Sequence, residues 1–374
     1  MKKRALIFAG IFTLFIILLY LQPIWFPATS VDEADKEQPK IDPPATTLNY
    51  EPIQTAGFAS WIGQSLAEFK KIYGEPDSSF PSGFGFMVQR FAVDDGLLEV
   101  NSKGNVIKSI KYLGGLEKSS AEPFYLGMTM AEVAKITMIY PNFTIDEGDK
   151  KVAFELTEDD MSFRPLVAFD NGSFAVLFFD QSKKKPTLYA IDYLDSDSLL
   201  KLAPYPVTAG ESNNFKEDGK ADWSMIDQKK KKYAMDLLQL LQEKRQKKAF
   251  SFQTDLQIAT EQTLTKFLRE KEDYLTTERM QNLQRIEKHQ SGFFRLNKKE
   301  MDSLLKDVKF SDLSGILEVP VYDATFTMLS WYSNQSLYKK LWTSDGTVAI
   351  AFSKENVLVL QEKNDYQTKE SGSH

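Results

Sequence analysis

"WIGQSLAEFKKIYGEPD" (61–77) and "YLGMTMAEVAKITMIYPN" (125–142) follow one template. Each opens aromatic–aliphatic–Gly, passes a hydroxyl residue (Ser65, Thr129) and continues Ala-Glu. Ser and Thr are favoured helix N-caps because the side-chain oxygen accepts a bond from an N–H that the first turn leaves unpaired. Glu68 and Glu132 follow three residues later and complete two capping boxes. Apolar residues recur at helical spacing, Leu66, Phe69 and Ile72 in one copy and Met130, Val133 and Ile136 in the other. Turn signals, "GEPD" and "YPNF", stop both helices.

After each helix the pattern changes to that of antiparallel strands. The first copy continues "FGFMVQRFAV" and "GLLEVNSKGNVIKSIKYLG", the second "KKVAFELTEDDMSFRPLVAFD" and "GSFAVLFFDQSKKKPTLYAIDYL". Alternation broken at "SKGN" and "QSKKK" predicts hairpins. Residues 57–202 therefore repeat one unit, a helix against an antiparallel meander, which suits a rigid binding or spacer module. No nucleophile–base pair is evident in it. "GFGF" at Gly83 and Gly85 lacks the Lys-Ser/Thr ending of a phosphate loop. Glu158–Asp160 lacks the further spaced oxygens of a calcium loop, so it is expected to be a solvated hairpin tip.

Upstream, Lys2, Lys3 and Arg4 precede an apolar run from Ala5 to Trp25. About 20 helical residues span a hydrocarbon core of roughly 30 Å. The positive flank predicts a cytoplasmic N-terminus (1–4), an uncleaved signal anchor (5–25) and an extracellular remainder at the cell membrane. A cleaved signal peptide is the competing reading. Residues 26–56, acidic and proline-bearing, are expected to form a tether.

The chain has 374 residues, a net charge of −6, no cysteine and two histidines, His289 and His374. That length suggests two folded domains. The acidic balance argues against nucleic acid as a partner, and the absence of cysteine excludes disulfides and thiolate metal sites. No cofactor or metal site is expected.

Residues 203–227 contain prolines and glycines without periodicity and suggest an inter-domain linker. From 228 to 362 the pattern is mainly helical. "KKKKYAMDLLQLLQEKRQKK" sets Ala234, Leu237, Leu238 and Leu241 on one face, with Lys229–Lys232, Lys244 and Arg245 expected at its ends and outer surface. Leu256, Ala259, Thr263 and Phe267 mark a second helix; Asn297 with Glu300 caps a third; "YDATFTMLSWYSNQSLYKKLW" supplies a fourth. "TVAIAFS" and "NVLVLQ" close the chain as a hairpin, and 363–374 is a tail.

The first half, with its "IGQSLAEFKKIYGEPD" signature, resembles the CAP-associated N-terminal domain of Gram-positive bacterial surface proteins. The order of elements after it resembles a CAP domain, the α-β-α fold of cysteine-rich secretory, antigen 5 and pathogenesis-related-one proteins and of bacterial SCP-like proteins. Together the resemblance covers about residues 57–362. It implies an α+β chain: a duplicated helix-plus-meander domain, then a CAP-like α-β-α sandwich. The family's cavity holds two histidines and acidic residues. Aligned here, "ATEQT" puts Gln262 at one histidine position. "WYSNQSL" keeps Trp331 but puts Leu337 at the other, and Glu318 in "GILEVP" stands for the family's glutamate. Neither glutamine nor leucine can bind metal or exchange protons as imidazole does. The expectation is a membrane-anchored extracellular binding or scaffold protein that is not an enzyme. Its cavity is vestigial, and its partner is a cell-envelope component: wall polymer, lipid or membrane protein. The alternatives are apolar-ligand (lipid) binding in the cavity and a carboxylate-dependent envelope hydrolase.

Overall fold

Gly63 and Gly127 anchor the two copies of the template in the same way. The Gly63 amide donates to the Ile107 carbonyl (2.9 Å) and the Gly127 amide to that of Leu188 (2.7 Å). Ile107 and Leu188 return bonds to Gln64 and Met128. Both glycines have positive φ, +82° and +95°, which side chains disfavour and glycine permits. Each helix start is thereby pinned to the last strand of its own unit.

The computed structural model describes residues 50–363 apart from 148–149, 181–183, 212–213, 289–291, 311, 335–336 and 338–345. The expected anchor, the tether up to residue 49, His289, His374 and the tail after 363 lie outside the described residues. Among the described residues no helix is long and apolar enough to cross a membrane.

The first copy comprises α1 (Leu66–Tyr73), β1 (Ser78–Pro81), β2 (Met87–Phe91), β3 (Leu98–Lys103) and β4 (Val106–Tyr112). The second comprises α2 (Met130–Val133), β5 (Asn142–Glu147), β6 (Lys150–Glu155), α3 (Glu158–Phe163), β7 (Leu166–Ala168), β8 (Phe174–Phe179) and β9 (Leu188–Leu194). The copies are not separate sheets. β4 pairs antiparallel with β9, which merges them into seven strands ordered β1-β2-β3-β4-β9-β8-β7. After α4 (Ser196–Leu202), β10 (Val207–Ala209) joins β6 and β5 in a second, three-stranded sheet.

The large sheet is buried on both faces. Val100, Ile110, Leu177 and Ile191 face a cluster built with Phe58, Phe69 and Phe124. Leu166, Val176 and Phe178 face the second half of the chain, in one apolar cluster with Leu237, Leu241, Met328, Trp331 and Val359. The described residues form one compact unit, with its main core between the halves.

That second half runs α5 (Trp223–Lys244), α6 (Thr254–Arg269), α7 (Thr277–Glu287), β11 (Phe294–Arg295), α8 (Lys298–Leu305), β12 (Leu313–Val319), α9 (Ala324–Ser333), β13 (Gly346–Ser353) and β14 (Asn356–Lys363). Its sheet order is β11-β12-β14-β13. Alternation sorts the strand residues to two faces. Ile316, Val348, Ile350 and Val359 pack with α5 and α9; Leu317, Val319, Ala351 and Leu360 pack with α6, α7 and α8. This is the α-β-α sandwich expected, and the chain as a whole is α+β.

Several local expectations are corrected. Ile72 is 66% exposed, because Tyr73 takes the inward place and stacks on Phe69 with ring centres 4.2 Å apart. Only the second capping box forms: Glu132 accepts from the Thr129 amide at 2.7 Å, whereas Glu68 turns to Lys71 at 2.6 Å. The regular part of α2 is a single turn, consistent with the weak helix formers Ile136, Thr137 and Ile139 that follow. Asp160 is not at a hairpin tip; it caps α3 through Thr157 and receives two bonds from Arg164. Residues 203–227 carry β10 and the start of α5, and residues 50–56 lie on the second unit, where Ile53 exchanges backbone bonds with Ala168 and Asp170.

The "GFGF" loop grips the second half. Phe84 packs against Trp223 and Tyr322, with ring centres at 5.2 and 5.0 Å, and Phe86 packs against Phe215 at 5.2 Å. At Gly83, with φ +82°, a Cβ would lie 2.2 Å from the Trp223 ring; at Gly85, with φ +85°, it would meet nothing within 4 Å. Gly83→Ala should therefore cost about 2–3 kcal/mol, left-handed strain plus overpacking, and Gly85→Ala about 1 kcal/mol from strain alone. Urea unfolding of the two variants measures the difference; equal losses would contradict the close contact.

Candidate functional site

Strand β12 and helix α9 set two of the expected cavity residues against each other. Glu318 is buried, and its Oε2 accepts from Trp331 Nε1 at 2.9 Å, from Arg295 Nε at 3.0 Å and from Arg295 Nη2. Cross-strand pairing of β11 with β12 places Arg295 opposite Glu318. One carboxylate oxygen thus receives three donors, two of them from a cation, an arrangement that fixes the side chain in place. Leu337 is buried in the same core as Trp331, its amide donating to Asn334 Oδ1 at 3.1 Å. Gln262 is not with them. It is exposed on α6, whose inward residues are Leu256, Thr260, Thr263, Leu264 and Phe267. Thr263 bonds back to the Ala259 carbonyl at 2.7 Å. The described residues contain no group of three or more His, Cys, Asp or Glu disposed to hold a metal ion.

A second polar centre lies where the halves meet, and the sequence reading missed it. Register aligns Arg90 with Glu99, Glu99 with Lys111 and Lys111 with Asp192 across β2, β3, β4 and β9. The row alternates in sign, which is the favourable cross-strand order. Arg90 Nε donates to Glu99 Oε2 at 2.9 Å, and Lys111 Nζ lies 3.7 Å from Glu99 Oε1. The start of α9 closes over the row. Asp323, its N-cap, uses Oδ1 for the Phe326 amide (2.9 Å) and Oδ2 for Lys111 Nζ (2.6 Å) and Asn101 Nδ2 (2.6 Å). Thr325 donates to Glu99 Oε2 at 2.8 Å, while Arg90 donates to the Tyr233 carbonyl at 3.1 Å and lies 3.5 Å over the Tyr233 ring. The available signal was one charged residue in the middle of each apolar strand: "VQRF", "LEV", "SIKY", "AIDY".

Asp192 is 0% exposed, and neither of its carboxylate oxygens has a hydrogen-bond partner. Burial pushes its pKa up to about 8, against the pull of Lys111 and with the repulsion of Asp323 and Glu99. Protonated, it leaves two cations (Arg90, Lys111) facing two anions (Glu99, Asp323). The unfolded chain releases this proton near pH 4. Between about pH 4 and 8 the folded state therefore holds a proton that the unfolded state has lost, so stability falls as pH rises and levels off above 8. Asp192→Asn should remove that slope. The variant's stability relative to wild type should rise across this window by at most about 1.4 kcal/mol per pH unit, and urea titrations at several pH values measure it. A difference independent of pH would contradict the protonated state.

Two basic residues assigned to the outer surface of α5 are also drawn into this junction, Lys230 buried and Arg245 with its side chain only 6% exposed. Lys230 donates to the Lys354 carbonyl at 2.9 Å and sits 4.7 Å from the Phe84 ring centre. Burial lowers its pKa to about 8, against Asp227, Glu355 and Asp323. Arg245 pairs with Asp180 at the end of β8 and lies 3.7 Å over the Tyr332 ring.

Comparison with known proteins agrees with this architecture. Residues 62–205 match the family described as CAP-associated N-terminal. A Bacillus subtilis membrane protein, YlbC, is 25% identical over 194 residues, which is 51% of this chain and about half (55%) of that relative's length. The crystal structure of a cysteine-rich secretory protein from Staphylococcus aureus superposes with a TM-score of 0.64 at 16% identity, covering 85% of this chain and all of the other. An extracellular SCP-domain protein from Bacillus anthracis gives 0.61 at 15% identity, covering 87% of this chain and all of the other. Residues 62–205 thus match the CAP-associated N-terminal family, and the chain they belong to shares the fold of SCP-like CAP-domain proteins.

Proposed function

We propose that the protein is a membrane-anchored, extracellular binding or scaffold component of the cell envelope, in which the CAP fold serves as structure and not as a catalyst. The observation that carries this reading is the environment of Glu318. A general acid or base must reach the proton it moves and must change its charge during the reaction. Glu318 is buried, held by Arg295 and hydrogen-bonded to Trp331, and Leu337 contributes packing where the family has a histidine. The shared core and the buried charges between the halves support a rigid body that presents one surface. The related Bacillus subtilis chain is a membrane protein by name, and the fold relative from Bacillus anthracis is an extracellular protein; both agree with the apolar segment at 5–25.

The test incubates the detergent-solubilised full chain with purified envelopes. Saturable recovery of envelope material, unchanged in Glu318→Gln and without release of wall fragments, is the expected result. Fragment release that is lost in Glu318→Gln would overturn the reading in favour of a carboxylate-dependent hydrolase.

A further inference from the structure

We propose that the cleft between the two halves, next to the charge ladder, binds a polyol phosphate, with the phosphate among lysines and the hydroxyl-bearing remainder on a polar floor. This deepens the binding reading and rests on it, naming a site and a ligand class. The cleft has a volume of about 410 Å³ and forms where β3, β4, α4 and residues 214–216 meet Asp323. Pockets of roughly 300–1,000 Å³ are the usual size for small ligands.

Its charge selects the ligand. Four lysines, Lys103, Lys108, Lys201 and Lys216, line it against two aspartates, Asp197 and Asp323. Lys108 and Lys201 are already held by Asp195 and Asp197, each at 2.7 Å. Asp323 is held by Lys111. Lys103 and Lys216 are exposed and have no ion-pair partner among the described residues. Two unneutralised ammonium groups on one cleft suit a phosphate, whose several acceptor oxygens can meet more than one donor.

The floor selects the rest. Asn101 is only 5% exposed; its Nδ2 is committed to Asp323, and its Oδ1 is buried without a hydrogen-bond partner. A buried acceptor left unpaired costs free energy, and a small rotation of the Asn101 side chain would turn Oδ1 to a ligand hydroxyl that recovers it. Beside it, the Ser109 hydroxyl accepts from Lys111 Nζ at 3.1 Å and retains its own proton to donate. Phe84, Phe86 and Phe215 form an apolar wall suited to the C–H faces of a polyol. A bare anion would satisfy the lysines and leave Asn101 unmet.

The same chemistry could arrive as a free metabolite or as the repeat of a phosphodiester polymer. Calorimetry on the full chain in detergent should therefore use sn-glycerol 3-phosphate, a short poly(glycerol phosphate) and inorganic phosphate. Saturable binding of at least one organic phosphate is expected, tighter than inorganic phosphate and weaker at high ionic strength. Lys103→Glu/Lys216→Glu should weaken it by about tenfold or more, with unchanged thermal unfolding because both positions are exposed. Tighter binding of the polymer than of the monomer identifies the repeat as the source; equal or weaker binding identifies the free compound. No saturable binding of either organic phosphate, binding no tighter than inorganic phosphate, or binding that the double variant retains would each overturn the proposal. Envelope recovery without phosphate binding would sink the cleft alone. Fragment release with phosphate binding intact would sink the non-catalytic reading alone.

Discussion

Exchange of Lys111 for methionine should destabilise the chain by about 3–5 kcal/mol, the usual cost of removing one partner from a buried ion cluster. Methionine approximates the length and volume of lysine, so the effect reports charge more than packing. Lys111 is 0% exposed and contacts Asp323 at 2.6 Å and Glu99 at 3.7 Å, with Asp192 opposite it in the next strand. Burial alone would lower its pKa, yet the Asp192, Asp323 and Glu99 carboxylates together hold it above the usual lysine range. Without it, Arg90 is the only cation left in the row, and Asp323 keeps only the neutral donors Asn101 and Phe326. Urea unfolding measures the loss. The double variant Lys111→Met/Asp323→Asn should lose clearly less than the sum of the singles, since each then removes the other's uncompensated charge. The surface pair Lys71–Glu68 is the control; breaking it should cost no more than about 0.5 kcal/mol. A loss below about 1 kcal/mol for Lys111→Met would mean that water reaches the row.

The ladder also shows where the sequence stops being informative. Its members lie 9, 12 and 81 positions apart along the chain, and only the β4–β9 pairing brings the last pair together. Local pattern finds helices and hairpins because their periodicities are local. It found the two template copies, the apolar face of α5, the Asn297 cap and the closing hairpin. It gave no reason to join the copies into one sheet. Helix α7 was missed because it is polar by composition; it buries Arg279 against Glu300 in addition to Leu283 and Ile286. Lys230 and Arg245 looked like surface charges because the groups that accept them, the Lys354 carbonyl and Asp180, are remote in the chain. Of the candidate cavity residues, Glu318 and Trp331 were named separately from the resemblance, and the structure brings them into contact. Gln262 lies apart from them, because alignment fixes a position and helical phase fixes a face. Leu256, Thr260, Thr263, Leu264 and Phe267 share the inward stripe, and Gln262 falls between its repeats.

Trp331→Ala should cost about 3–5 kcal/mol, the range for truncating a large buried aromatic. Trp331 is 2% exposed, and its side chain belongs to the core that joins the first half to α5, α9 and the CAP-like sheet. Two contributions are combined, and a graded series separates them. Trp331→Phe keeps much of the packing but deletes the indole N–H that donates to Glu318 Oε2. Hydrogen bonds to charged groups contribute about 1.5–3 kcal/mol, and the Arg295 pair remains to hold the carboxylate, so the phenylalanine variant should lose about 1–2 kcal/mol. The same series bears on function. With Glu318 acting as a structural acceptor, Trp331→Phe and Glu318→Gln should both lower the urea midpoint and leave envelope recovery by the folded protein unchanged. Equal losses in the alanine and phenylalanine variants would show that the hydrogen bond dominates and that the indole fills little of the core. Recovery that falls with Trp331→Phe while the fold stays intact would move the binding surface onto this carboxylate, against the structural role its three donors imply.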